Sequence, residues 1–192
     1  MDTSFLKLLY LTHLSQPSSD RLVYRAMLRH RPRRILELGI GDGLRAVRMI
    51  ELACRLSAGQ PPHYIGVDVF EARGVGDGPG MSLRLAHQTL GRYGARIQLV
   101  PGDPYEALDR SANHVGQVDL LVVSARIDAE AMRQAWFYVP RLLHEASVVF
   151  REVPCGGGRK AEMYMLGGDE VAALAEAARP RFARRAALRR AA

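Results

Sequence analysis

Residues 35–46 read "ILELGIGDGLRA", an apolar run that passes through Glu37 into three alternating glycines, Gly39, Gly41 and Gly43, and then into an apolar-periodic segment. Glycine loses more conformational freedom on folding than any other residue, so three within five positions mark a backbone that turns sharply or approaches something closely. Two causes are open at this point. A ligand lies against the loop, or a strand and a helix pack unusually tightly there. Upstream, "RRILEL" has the bounded apolar character of a buried strand. Downstream, Leu44, Val47, Ile50, Leu52 and Cys54 follow helical spacing over 44–56, so the glycine turn is expected to open a helix.

The same alternation runs along the chain. "HYIGVDVF" reads as a strand ending at Asp68, "EARGVGDGPG" as a glycine-rich loop, and 81–93 as a helix. "ARIQLV" is a strand, "DPYEALDRSA" a short helix and "QVDLLVV" a strongly apolar strand. Residues 128–144 are expected as a helix, "ASVVF" and "AEMYML" as strands, and a last alanine-rich helix starts at Asp169. Two helical segments precede all of this, about 4–14 and "RLVYRAMLRH", the second capped by Ser19 or Asp20 and ended by Pro32. The expected fold class is α/β: a doubly wound, mostly parallel sheet of about six strands, covered on both faces, after two N-terminal helices. The expected organisation is one Rossmann-like domain over 1–178, with helices in 1–31 and a basic tail over 179–192.

Composition narrows the function classes. The chain has 192 residues, 48% apolar and 24% charged, which is ordinary globular usage. No stretch is long and apolar enough for a membrane span, and the opening "MDTSFLKLLYLTHLS" lacks the basic leader of a signal peptide, so a cytoplasmic protein is expected. The two cysteines, Cys54 and Cys155, give no disulfide framework, and the six histidines show no HExxH or paired helical spacing, so no metal is expected. Of the net charge of +7, six arginines sit in "RPRFARRAALRRAA" without an acid. That tail either tracks phosphates, making nucleic acid a candidate partner, or is a solvated helix end.

The glycine turn departs from the dinucleotide fingerprint G-x-G-x-x-G, because Leu44 stands where its third glycine would fall. Gly39-x-Gly41-x-Gly43 with Glu37 two residues ahead instead resembles motif I of the class I, Rossmann-fold S-adenosylmethionine-dependent methyltransferases. "YIGVDVFEA" and "IQLVPGDPYEAL" extend the resemblance over roughly residues 30–152. It implies a cofactor site made of Glu37, Gly39, Ile40, Gly41, Gly43, Asp68, Val69, Gly102, Asp103 and Pro104. Asp68 would hold the ribose hydroxyls, Asp103 the adenine amine, and Glu37 the amino-acid end; a plain salt bridge from Glu37 to Arg33 or Arg34 stays open. Asp103 also suits the N-cap of the next helix.

The segment 118–150 is similar to small-molecule O-methyltransferases and their cephalosporin-hydroxylase-like relatives, but Ser124 replaces their metal-binding acid, and Asp128 reads as a helix cap. The resemblance implies S-adenosylmethionine as cofactor, S-adenosylhomocysteine as product, and a small-molecule or exposed hydroxyl or amine as acceptor. Ser124, Arg126 and Tyr105 are the candidates on the substrate side, with no catalytic base identified. The glycine loops 74–80 and 156–158 are expected to flank the cleft and order on binding. A non-catalytic cofactor-binding module, a nucleic-acid methyltransferase or binder, and a nicotinamide enzyme remain alternatives, and the oligomeric state is open.

Overall fold

The computed structural model describes residues 3–57, 59–74, 78–155 and 161–179. Chain order is α1 (Thr3–Leu9), α2 (Asp20–His30), β1 (Arg34–Leu38), α3 (Leu44–Leu56), β2 (His63–Asp68), α4 (Leu83–Leu90), β3 (Arg96–Pro101), α5 (Pro104–Val115), β4 (Val118–Val123), α6 (Ala129–Ala135), β5 (Leu143–Pro154), β6 (Ala161–Leu166) and α7 (Gly168–Ala178). The strands make one six-stranded sheet in the order β3-β2-β1-β4-β5-β6. All neighbours are parallel except β5 and β6. The winding reverses between β1 and β4, which places a ligand crevice beyond their carboxyl ends.

Side-chain parity divides the core into two layers. Ile35, Tyr64, Leu120, Val122 and Phe150 meet α2, α3 and α4 through Met27, Met49, Ile50 and Leu90. Leu36, Leu38, Ile65, Val67, Leu121 and Val123 meet α5, α6 and α7 through Leu108, Met132 and Val171. Because successive strand residues point to opposite faces, both layers being apolar requires the unbroken apolar strands seen in the sequence.

Several local expectations change. The helix expected over 128–144 ends at Ala135, because residues 136–142 tighten into turns that carry Pro140, and β5 begins at Leu143. The first helix is α-helical only to Leu9 and continues as a π-helical turn over Tyr10–Leu14. Neither Ser19 nor Asp20 caps α2 by its side chain; Ser19 already has helical backbone angles and Asp20 is turned inward. Residues 75–77, 156–158 and 180–192, which hold most of the expected mobile loops and the basic tail, lie outside the described residues. No helix among the described residues is long and apolar enough to cross a membrane.

Asp119 locks the entry of the central strands. Its Oδ2 accepts from the backbone amides of Arg33 and Arg34 at 2.7 and 2.8 Å, and its Oδ1 lies 3.0 Å from His144 Nε2. Burial alone would raise this carboxyl, but the two amides and His144 together hold it below its ordinary value. A depressed carboxyl contributes stability that is present above the unfolded-state value near 3.9 and is lost as pH falls through the folded-state value. Asp119→Ala is expected to destabilise the fold by about 1–3 kcal/mol at neutral pH and to flatten the acid limb of its stability curve, as read by urea unfolding between pH 2 and 7.

Candidate functional site

The glycine turn is packed tightly at two of its glycines and borders a hollow at the third. Gly39, Gly41 and Gly43 all take positive φ, at 84°, 61° and 77°. A Cβ on Gly43 would fall 2.3 Å from Met81 Cε, so that glycine serves the packing of the turn against the segment ahead of α4. A Cβ on Gly39 would fall 2.8 Å from Ser124 Cβ and 2.9 Å from Ile127 Cγ1, because the tips of β1 and β4 are drawn together by Ser124 N donating to Leu38 O. Gly41 faces a hollow instead, where the nearest atom to a Cβ would be Arg126 Nη1 at 3.4 Å.

Two hollows meet over this turn. The first is walled by Gly39 and Gly41, by Val67, Asp68 and Val69 after β2, by Gly102, Asp103 and Pro104 after β3, and by Arg126 to Asp128 after β4. The expected residues of three strand tips therefore converge. Asp68 is held by Gly41 N on Oδ2 at 2.7 Å, by Phe70 N on Oδ1 at 3.3 Å and by the Arg73 guanidinium on Oδ1. Asp103 caps α5, its Oδ1 accepting from Glu106 N at 2.9 Å, as a helix start with Pro104 at its first position should. The hollow holds only about 70 Å³, against the roughly 300–1,000 Å³ of small-molecule sites. Arg73 lines this hollow, and its guanidinium packs on the bare face of Gly80.

The second hollow lies on the other side of Gly39 and Gly41 and is lined also by Ile40, Asp42, Asp20, Arg45, Ser124 and Glu152. Its floor is an ionic cluster. Arg45 Nη1 reaches Asp20 Oδ1 at 3.2 Å and Glu152 Oε2 at 3.1 Å, while Nε donates to Glu37 Oε1 at 2.8 Å. The hydroxyl of Tyr64 donates to the other Glu37 oxygen. Burial raises the Glu37 and Asp20 carboxyls above their ordinary values, with Arg45 opposing the rise in each.

Glu37 thus stands apart from the expectation drawn for it. It is fully buried and lines neither hollow, because strand parity sends it with Ile35 to the α3 face, and its partners are Arg45 and Tyr64 rather than Arg33 or Arg34. Tyr105 is also elsewhere, its ring 6.0 Å from that of Tyr138 and outside both hollows. Ser124 and Arg126 are at the hollows, and Asp128 caps α6, accepting from Ala131 N at 2.8 Å. Among the described residues no group of three or more His, Cys, Asp or Glu is placed to hold a metal ion. Asp20 was read only as a helix cap, and Arg45, Arg73 and Glu152 were not singled out from the sequence. The one available signal was that Arg45 follows the glycine turn at the first helical turn, where an anion-facing or acid-paired arginine is sterically possible.

No protein-family model and no curated protein matches the chain. Among solved structures it is similar to TomG, an O-methyltransferase of Streptomyces achromogenes involved in tomaymycin synthesis and solved with S-adenosylmethionine. The TM-score is 0.53 at 14% identity, over 79% of this chain and 66% of that one. An O-methyltransferase of Bacillus cereus, solved with S-adenosylhomocysteine, gives a TM-score of 0.53 at 16% identity, again over 79% and 66%. The chain therefore has the fold of the S-adenosylmethionine-dependent methyltransferases, and it spans 66% of the length of each of these two proteins.

Two variants test this geometry. Arg45→Met leaves three carboxylates facing one another in a buried cluster and is expected to lower stability by about 3–5 kcal/mol in urea unfolding, far beyond a typical surface arginine. Gly39→Ala forces a strained φ and a clash with Ser124 and Ile127, so a loss of about 2 kcal/mol or more is expected in thermal unfolding.

Proposed function

We propose that the protein is an S-adenosylmethionine-dependent methyltransferase acting on a small molecule. The observation that carries this reading is the convergence of Gly39 and Gly41, Asp68 and Asp103 on one hollow at the switch point of a methyltransferase fold.

The residues present fit the cofactor. A carboxylate accepts two hydrogen bonds side by side, which suits the vicinal hydroxyls of a ribose at Asp68. Gly102, with φ of 130°, and Asp103 border the place of an adenine, and Val67 and Val69 supply apolar wall. An amino-acid end is a zwitterion, and the second hollow presents both signs: Asp20 for an ammonium, with Arg45 and the amides at the start of α3 for a carboxylate. Asp20 takes there the role first assigned to Glu37. Bound S-adenosylmethionine would supply an activated methyl group where the two hollows join, beside Gly39, Gly41 and Arg126. The protein's own contribution is positioning, which accounts for much of the acceleration in such displacements.

Arg73 sets a condition on binding. Its guanidinium holds Asp68 Oδ1, so a ribose reaches that oxygen only as Arg73 withdraws. Asp68→Ala is therefore expected to weaken S-adenosylhomocysteine binding about tenfold or more, while Arg73→Ala leaves affinity undiminished or raises it. Calorimetry on both variants, with NAD as the control ligand, checks this; tighter binding of NAD than of S-adenosylhomocysteine would overturn the reading. The nucleic-acid alternative rests on residues 179–192, and removal of those residues followed by a salt titration of RNA or DNA binding decides it.

A further inference from the structure

A third and larger hollow, of about 630 Å³, opens between residues Gln16–Ser19 and the β5–β6 edge, a volume inside the roughly 300–1,000 Å³ range of small-molecule sites. It shares Pro17, Arg126 and Glu152 with the hollow over Arg45, and Arg126 also borders the hollow at Asp68. This places it against the junction where the methyl group would be presented. Its walls are polar: Ser18, Ser19, Cys155 and the carboxylates of Glu152 and Glu162.

Glu152 is the distinctive feature. Its three hydrogen-bond contacts all end on one oxygen: Oε2 accepts from Arg45 Nη1 at 3.1 Å, from Ala125 N at 3.2 Å and from Ser124 Oγ at 3.4 Å. Among the described residues Oε1 accepts nothing. Glu152 lines the cavity with a side chain 12% exposed, and a carboxylate anchored through Oε2 keeps, among the described residues, the lone pairs of Oε1 to accept from a donor. A smaller hollow of about 350 Å³ around Trp136 and Met132 also touches Glu152, but its walls are mainly apolar and it borders neither the glycine turn nor Arg126.

We propose that the cavity between Gln16–Ser19 and β5–β6 is the acceptor site, that it takes a small polar molecule bearing a hydroxyl or amine, and that Glu152 Oε1 receives the acceptor's proton. The proposal rests on the methyltransferase reading. As the new O–CH3 or N–CH3 bond forms, the methyl–sulfur bond breaks, its electron pair stays on the sulfur of the thioether product, and the acceptor's O–H or N–H proton passes to Glu152. A hydroxyl or amine needs such a proton acceptor, and a fixed one contributes about 10²–10⁴-fold.

Glu152→Gln isolates this role. The glutamine carbonyl keeps an acceptor for Arg45 and Ala125, while an NH2 donor replaces the open Oε1. The test uses the full chain saturated with S-adenosylhomocysteine and a fixed panel of small phenols and primary amines, tyramine among them, followed through the backbone amide resonances of Ser19, Ala125 and Arg126. Panel members are expected to shift these resonances in the wild type. In Glu152→Gln, panel affinity is expected to fall about tenfold and methyl transfer to any panel acceptor by about 10²-fold or more in kcat, with the amide spectrum of the folded protein retained. Ser18→Trp, which fills the cavity from its outer wall, should block the panel and leave S-adenosylhomocysteine affinity in place. Shifts confined to Trp136 and Met132, no panel member shifting the three amides, or unchanged panel affinity and transfer in Glu152→Gln would each overturn the assignment of this site. Failure of the wild type to bind S-adenosylhomocysteine would overturn the cofactor reading and this inference together.

Discussion

Arg45 is the ion on which the arrangement of the site depends. One guanidinium joins Asp20 at the start of α2, Glu37 inside β1 and Glu152 on β5, while its own backbone lies in the first turn of α3. Four elements distant in sequence are thereby fixed around the glycine turn. Burial lowers the charged form of the arginine, yet the three carboxylates more than offset this and keep its pKa well above the ordinary value. In a water-poor interior such a cluster is stable only while complete, because removing the cation leaves like charges in contact. The same cluster decides which acids remain for ligands. Glu37 is held by Arg45 and Tyr64 away from both hollows, whereas Asp20, buried and also paired to Arg45, and Glu152 line the hollow over the turn.

The glycines and the charges answer to one constraint. In a sheet that reverses its winding between β1 and β4, the two strand tips must come close, and they do so through the Ser124 N to Leu38 O bond. Any side chain at position 39 would prevent it. The resulting bare ledge has Asp68 on one side and Asp20 with Arg45 on the other, the arrangement on which the proposed placing of a nucleoside and an amino-acid end rests. Arg73 is the opposing element, since it holds Asp68 and lines the same hollow.

The sheet was legible because apolar strands alternate with helical spacing; the strand order was not, because which strands pair depends on contacts between distant segments. Asp68, Gly102 and Asp103 were legible because each closes an apolar run at a strand end, where the next element must turn. Glu37 lies away from both hollows for a reason of parity: a strand residue two positions before a turn points to whichever face the alternation dictates, and here that face is covered by α3. Asp20 looked like a helix cap because local patterns do not reveal a partner 25 residues away on another helix. The short α6 was hidden by Pro140 lying within otherwise helical spacing, which the backbone resolves into turns.

The most direct measurement is a crystal structure of the protein grown with S-adenosylhomocysteine. The account predicts the ribose hydroxyls on the Asp68 carboxylate, the Arg73 guanidinium displaced from it, the adenine beside Asp103, and the amino-acid end over Gly41 between Asp20 and Arg45. Ligand density away from the glycine turn, or bound with the Asp68–Arg73 pair intact, would contradict it.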